Sequence, residues 1–243
     1  MKLPNNSPLP GPIRWVALDA VGTVMHPFPP AAEVYAQVAR RHGSTLTAEE
    51  ITTRFRRQLQ QIGGTDDQLP ADERHRTSEA LERERWRAIV AAVIDDVPKP
   101  DDCFEELFLH FGKPTAWRCF PDVGPAIAAL RRAGLQVALA SNFDGRLHEV
   151  CDGHPELQPI GCRVISAEVG YRKPGRRFFE TLLEATRSPP QEVLMVGDDR
   201  ENDFVGAREA GLPALLINRR GTPGPDEIGS LIDLAEIVRS SNG

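Results

Sequence analysis

The sequence predicts an α/β protein with a mostly parallel sheet and one inserted, purely helical segment. Three observations predict it. Apolar runs end abruptly in polar residues: "IRWVALD" at Asp19, "LQVALASN" at Ser141 and Asn142, "EVLMVGDD" at Asp198 and Asp199. Most of these runs are continuously apolar rather than alternating, which marks strands covered on both faces. Helix-period patterns separate them, and strand–helix alternation implies parallel strands joined by crossovers.

In chain order, "MKLPNNSPLPGP" has no apolar core of a signal peptide and reads as a lead-in. The first strand follows and ends at Asp19. Residues 26–117 then show helical faces and no strand pattern: Val34, Tyr35 and Val38; Ile51, Phe55, Leu59 and Ile62; Trp86, Ile89, Val90 and Val93; Phe104, Leu107, Phe108 and Phe111. "GGTDDQLP" and "DDVPKPDD" read as loops. Asp72–Arg76 and Glu79–Arg83 have ion-pair spacing on a solvated face. After residue 117 come the helix "DVGPAIAALRRAG", the strand to Ser141, the strand "CRVISAEV", the helix "PGRRFFETLLEAT", the strand to Asp198, the helix "ENDFVGAREAG" and the strand "PALLIN". Gly134 and Gly211 stand where helix C-caps belong.

Length and composition agree. The 243 residues allow one domain with a second inserted. A 40% hydrophobic share permits a sizeable core, and the net charge of −6 argues against a general nucleic-acid or acidic-membrane binder. Cys103, Cys119, Cys151 and Cys162 have neither C-x-x-C nor zinc-site spacing, which suits free thiols in a reducing compartment. No stretch approaches the ~20 apolar residues of a membrane span. The expectation is a soluble cytoplasmic protein.

Ligands of open parallel sheets bind at the carboxyl ends of strands near a switch in strand order. Adjacent strands would bring Asp19, Ser141–Asn142 and Asp198–Asp199 to one crevice. Asp203, five residues beyond Asp198, reaches it from the next helix. Lys173, in "GYRKPGRRFF", is expected at the crevice rim, with Pro174 starting a helix. Four acids cannot all ionise together unless a cation intervenes, and one lysine is too few. An oxygen-only set with neither His nor Cys suits Mg²⁺, which shares its ligands with a phosphate. Ser141 and the amides after it would hold the anion. Asp19 would then attack phosphorus and form an aspartyl-phosphate for water to hydrolyse.

The ordered set "LDAVGTV", "ALASN", "GYRKPGRRFF" and "VGDDRENDFVGAREAG", spanning residues 13–211, resembles the haloacid dehalogenase-superfamily hydrolases whose helical cap follows the first motif. The resemblance implies a Rossmann-like core of residues 11–25 and 118–243 and a cap of residues 26–117. It implies Asp19 as nucleophile. It implies that Mg²⁺ is held by Asp19, the Val21 backbone carbonyl, Asp198 and Asp203. Ser141, Asn142 and Lys173 would bind phosphate, with Lys173 also pairing with the nucleophile. The substrate would be a small phosphorylated metabolite. Asp199 stands where such proteins often carry Ser. Val21 departs from the pattern: phosphatases of the superfamily carry there the Asp that protonates the leaving alcohol, a role worth about 10²–10⁴-fold. His26 and Asp144 are candidate substitutes, and Arg54, Arg56 and Arg57 are candidate contacts for an anionic substrate. Two other functions fit parts of the pattern. A catalytically weak phosphoester binder or interaction protein would explain Val21. A 2-haloacid dehalogenase also lacks the second Asp, but it carries Tyr there and needs no metal.

Overall fold

The computed structural model describes residues 11–61 and 73–242. Eight strands and ten α-helices are described: β1 Trp15–Leu18, β2 Met25–Pro27, α1 Ala31–Arg41, α2 Ala48–Gln61, α3 Glu79–Val93, α4 Pro100–Phe111, β3 Trp117–Cys119, α5 Val123–Arg132, β4 Gln136–Ser141, α6 Arg146–Asp152, β5 Cys162–Ile165, α7 Ser166–Val169, α8 Arg176–Thr186, β6 Val193–Gly197, α9 Gly206–Glu209, β7 Ala214–Ile217, β8 Glu227–Ile228 and α10 Leu234–Asn242. Six strands form one parallel sheet in the order β5-β4-β1-β6-β7-β8.

Alternation along β1 explains why its sequence is apolar throughout. Val16 and Leu18 pack into one core with Ile127 and Leu130 of α5 and Val238 of α10. Ala17 packs into the opposite core with Phe178, Phe179 and Leu182 of α8. Both faces are dry, so no polar position is tolerated until the strand ends. Leu18 lies level with Leu139 of β4 and Val196 of β6. The chain therefore leaves β1 to one side for β4 and β5, and returns on the other side for β6. That reversal at β1 opens a crevice at the strand ends.

Helices α1–α4 bury a core of their own, which includes Val34, Tyr35, Val38, Ile51, Ile89, Val93, Phe104 and Leu107. Leu59 lies in α2. Ile62, Asp72 and the "GGTDDQLP" loop lie outside the described residues. Glu79 and Arg83 do not pair: Arg83 bonds Glu105, while Glu79 accepts from the Gly145 N–H at 2.8 Å. Two further features differ from expectation. β2 and β3 pair antiparallel, Met25 with Cys119 and Pro27 with Trp117, so a two-stranded ribbon straddles residues 26 and 117. Three-residue strands are too short to show a period, and pairing alone makes them. In "CRVISAEV" the strand stops at Ile165 and α7 takes over.

Candidate active site

Three strand ends and one loop build the crevice. Asp19 follows β1, and its N–H donates to Val196 O at 2.9 Å. Gly22 then turns the chain at φ +93°, and the Asp198 carboxylate lies directly over its Cα, where a Cβ would overlap it. Asp198 follows β6 and accepts from Thr23 Oγ1 at 3.2 Å. Asp203 sits on a π-wound turn, Arg200–Val205, that precedes α9. The wider turn carries its carboxylate back over Gly197, a position no side chain at residue 197 would allow.

Lys173 is not at the rim. It is 1% exposed. Its Nζ donates to Asp19 Oδ1 at 2.7 Å, to Asp203 Oδ1 at 2.6 Å and to Ala140 O at 2.7 Å. All three ammonium protons are used, which is what a buried lysine requires. Asn142 explains how the loop is held: its Nδ2 donates to Lys173 O at 2.9 Å, and Lys173 N–H donates to Asn142 Oδ1 at 2.8 Å. The Asn142 side chain, expected on the phosphate, is thus committed to positioning the lysine.

The charges do not balance. Burial pushes the Asp19 carboxyl up; Lys173 opposes the shift and Asp198 adds to it. Burial likewise pushes Asp203 up to about 7, again opposed by Lys173 and reinforced by Asp19. Asp198 is open on its solvent side and packed behind; that packing and the charge of Asp203 push it up to about 6. Burial disfavours the Lys173 charge, yet the two carboxylates outweigh it and raise its pKa above the ordinary lysine value. Oxygens of Asp19, Asp198 and Asp203 lie within 4.8 Å of one another. Three converging carboxylates with one ammonium leave surplus negative charge, and an all-oxygen set suits a hard divalent cation such as Mg²⁺. The donor set therefore fits the metal.

The other predicted residues separate. Ser141 ends β4, buried at 2% exposure, beside Ile165 of β5. The amides after it are largely taken: Phe143 N–H donates to Ser166 Oγ and Gly145 N–H to Glu79. Asp144 is not a free acid. It binds Arg146 through Nε at 2.7 Å and Nη2 at 2.6 Å. Asp199 caps the π-turn, accepting from the Glu201 and Asn202 N–H groups. His26 lies in β2 with Nδ1 3.0 Å from Pro27 O and its ring against Phe120. Arg54 pairs with Asp95. Arg57 is exposed, and Arg56 lines a broad cleft of about 1090 Å³ beside Asp198.

A family model for haloacid dehalogenase-like hydrolases matches residues 13–211, which contain every one of these groups. The chain belongs to this hydrolase family. The haloacid dehalogenase-like hydrolase domain-containing protein 3 of Danio rerio is 26% identical over 214 residues, 86% of each chain. A phosphoserine phosphatase of Thermus thermophilus is 36% identical over 121 residues, 49% of each chain. The solved L-2-haloacid dehalogenase of Xanthobacter autotrophicus superposes with a TM-score of 0.70 at 18% identity, covering 93% of this chain and 98% of that one. Hydrolases of different chemistry thus share this fold, and the side chains must decide between them.

One part of this family member's site was not legible in the sequence. A chamber of about 380 Å³ opens beside Val21, walled by Tyr35, Phe55, Trp86, Phe108 and Trp117. Val21, 37% exposed, lines both the chamber and the broad cleft. Among the described residues Arg146 is the chamber's one charged lining residue; its guanidinium stacks 3.4 Å from the Phe108 ring centre and bonds Phe108 O. The helical faces read as core supply these walls, and periodicity does not separate a packed side chain from one that lines a void.

Proposed function

We propose that the protein is a Mg²⁺-dependent phosphatase acting on a small phosphorylated molecule through an aspartyl-phosphate at Asp19. The observation that carries this reading is the buried lysine shared by Asp19 and Asp203, with Asp198 completing three converging carboxylates. The phosphatase among the relatives supports it over the half-chain it matches. Asp19, Asp198, Asp203 and the Val21 carbonyl would hold Mg²⁺. Bound there, the ion would offset the phosphate's charge and make phosphorus more electrophilic. Lys173 favours the ionised form of Asp19 and would aim its free oxygen at phosphorus without a full shell of water. Ser141 would donate to a phosphoryl oxygen. The helical segment of residues 26–117 acts as a cap that excludes water and selects the leaving group.

Phosphate release by the wild type, abolished by chelation and by Asp19→Asn, tests the reading; undiminished release from Asp19→Asn removes it. Val21 favours one second reading, a phosphoester binder that barely turns over. A phosphoester panel that gives thermal stabilisation without turnover would select it. Dehalogenation is the less favoured chemistry because three carboxylates converge; chloride release from a 2-haloacid, insensitive to chelation, would restore it.

A further inference from the structure

Val21 and the chamber beside it are two independent observations, one of chemistry and one of shape. We propose that the substrate is the phosphate monoester of an uncharged aromatic alcohol of low basicity, a phenol-type leaving group seated in the aromatic chamber. The proposal rests on the phosphatase reading above.

Consider the proton first. No side chain at residue 21 can protonate a departing oxygen. Both carboxylates that might replace it are engaged. Asp144 is held by Arg146, and Asp199 by two amides. His26 lies against Phe120 with Nδ1 at Pro27 O. Tyr35 is buried in the chamber wall, where burial pushes its pKa above the usual phenol value and makes it a poor acid. On this proposal the leaving oxygen departs as an anion. A phenol, with a pKa near that of tyrosine at about 10, tolerates this. An aliphatic alcohol is several units more basic and forfeits most of the general-acid contribution, about 10²–10⁴-fold.

Now consider the shape. The chamber volume of about 380 Å³ lies at the small end of ligand pockets, about 300–1,000 Å³. Its walls come from all four cap helices and β3, and most are aromatic. Edge and face contacts to a ring are the favoured interactions there. Among the described residues the one cation, Arg146, is already neutralised by Asp144, so it does not wait for an acidic substituent. A polyhydroxylated group would lose its water there and gain few partners, which costs binding energy. Val21 lines both the chamber and the broad cleft that reaches Asp198, and Asn142, next to Ser141, lines the chamber, so an ester oxygen beside Val21 would join a phosphate below to a ring above.

The step balances without a donor. An Asp19 carboxylate oxygen bonds to phosphorus, the phosphorus–aryl oxygen bond breaks, and its electron pair leaves with the aryloxide, which takes a proton from solvent. A water oxygen then bonds to phosphorus, the Asp19–phosphorus bond breaks with its pair returning to the carboxylate, and one water proton passes to the phosphate. The missing acid is also the missing base for this second step. The aspartyl-phosphate accumulates, so kcat is common to all good substrates while kcat/KM tracks leaving-group basicity.

The test uses the whole chain with Mg²⁺, as wild type and as Val21→Asp, on 4-nitrophenyl, phenyl and benzyl phosphates and glycerol 3-phosphate. Phenyl and benzyl phosphates share a ring and differ in basicity; benzyl and glycerol phosphates share an aliphatic oxygen and differ in the ring. The wild type is expected to favour phenyl over benzyl phosphate by about 10²–10⁴ in kcat/KM, to favour benzyl over glycerol phosphate, and to release 4-nitrophenol in a burst. Val21→Asp, at an exposed position that accepts the change, is expected to narrow the phenyl–benzyl gap at least about tenfold. Equal wild-type kcat/KM for phenyl and benzyl phosphates overturns the leaving-group claim; glycerol phosphate matching or exceeding benzyl phosphate overturns the chamber claim. Either result, with turnover still dependent on Asp19, leaves the phosphatase reading standing. No turnover of any ester by either protein overturns both.

Discussion

The floor of the crevice and the chamber above it hold opposite kinds of side chain. The floor concentrates three carboxylates and one lysine within a few ångströms, buried apart from Asp198 and with every ammonium proton spoken for. The chamber is walled by aromatic rings, and its one charge is neutralised in place. Val21 stands on the border, where a phosphatase of the family would carry an acid. On the proposed reading the contrast is a division of labour: the floor would fix the reaction, and the chamber with Val21 would fix which leaving groups can exploit it.

Breaking the floor has the largest effect. Lys173→Met leaves two buried carboxylates uncompensated and is expected to cost about 3–5 kcal/mol of stability, read as a lower denaturant midpoint, with loss of phosphate release. Mg²⁺ bound there would act on the same charges from the other side. At a hundred times its dissociation constant it adds about 2.7 kcal/mol, so a chelator is expected to lower the melting temperature as well as to stop turnover. An unchanged melting temperature would count against metal at these carboxylates.

Breaking the chamber is milder and of a different kind. Trp86→Ala leaves the floor intact and is expected to lower kcat/KM for phenyl phosphate about tenfold, or about 1.4 kcal/mol, mainly through KM. A fall in kcat alone would place Trp86 outside the leaving-group contact.

The smallest effect sharpens the comparison by testing what supports the floor from behind. Asp122 accepts from Arg219, Ser230 and the Leu231 N–H, and Arg219 also donates to Thr23 O in the nucleophile turn. Burial alone would raise the Asp122 pKa, but these bonds outweigh it and hold the carboxyl below its ordinary value. A folded-state pKa below the unfolded one stabilises above the unfolded value, about 3.9, and that stability is lost as pH falls through the folded value. Asp122→Asn is therefore expected to be less stable than wild type by about 1 kcal/mol at pH 7. The difference should shrink below pH 4 in melting curves, and one that persists there would assign the effect to packing.

The floor was largely legible in the sequence. Asp19, Ser141, Asp198 and Asp203 lie at the ends of continuously apolar runs or one turn beyond, and chain order alone brings such ends together in a parallel sheet. Lys173 was legible as a participant but not as a buried one, because nothing in "GYRKPGRRFF" reveals that Asn142 clamps its backbone. Asp144 and Asp199 looked like free acids until their partners appeared two or three residues further on, at Arg146 and at the Glu201 and Asn202 amides. The chamber was not legible. Phe55, Trp86 and Phe108 have core periodicity, and only tertiary packing decides that they surround a space rather than fill it.

On the proposed reading Asp19 is the group that takes the phosphoryl. The direct measurement is mass spectrometry of the Asp19-containing peptide after acid quenching of the wild type with Mg²⁺ and 4-nitrophenyl phosphate. A phosphoryl adduct on Asp19, absent from Asp19→Asn and present in near-stoichiometric amount because Val21 supplies no base for its hydrolysis, is the predicted result. Steady phosphate release with no adduct on Asp19 would contradict it.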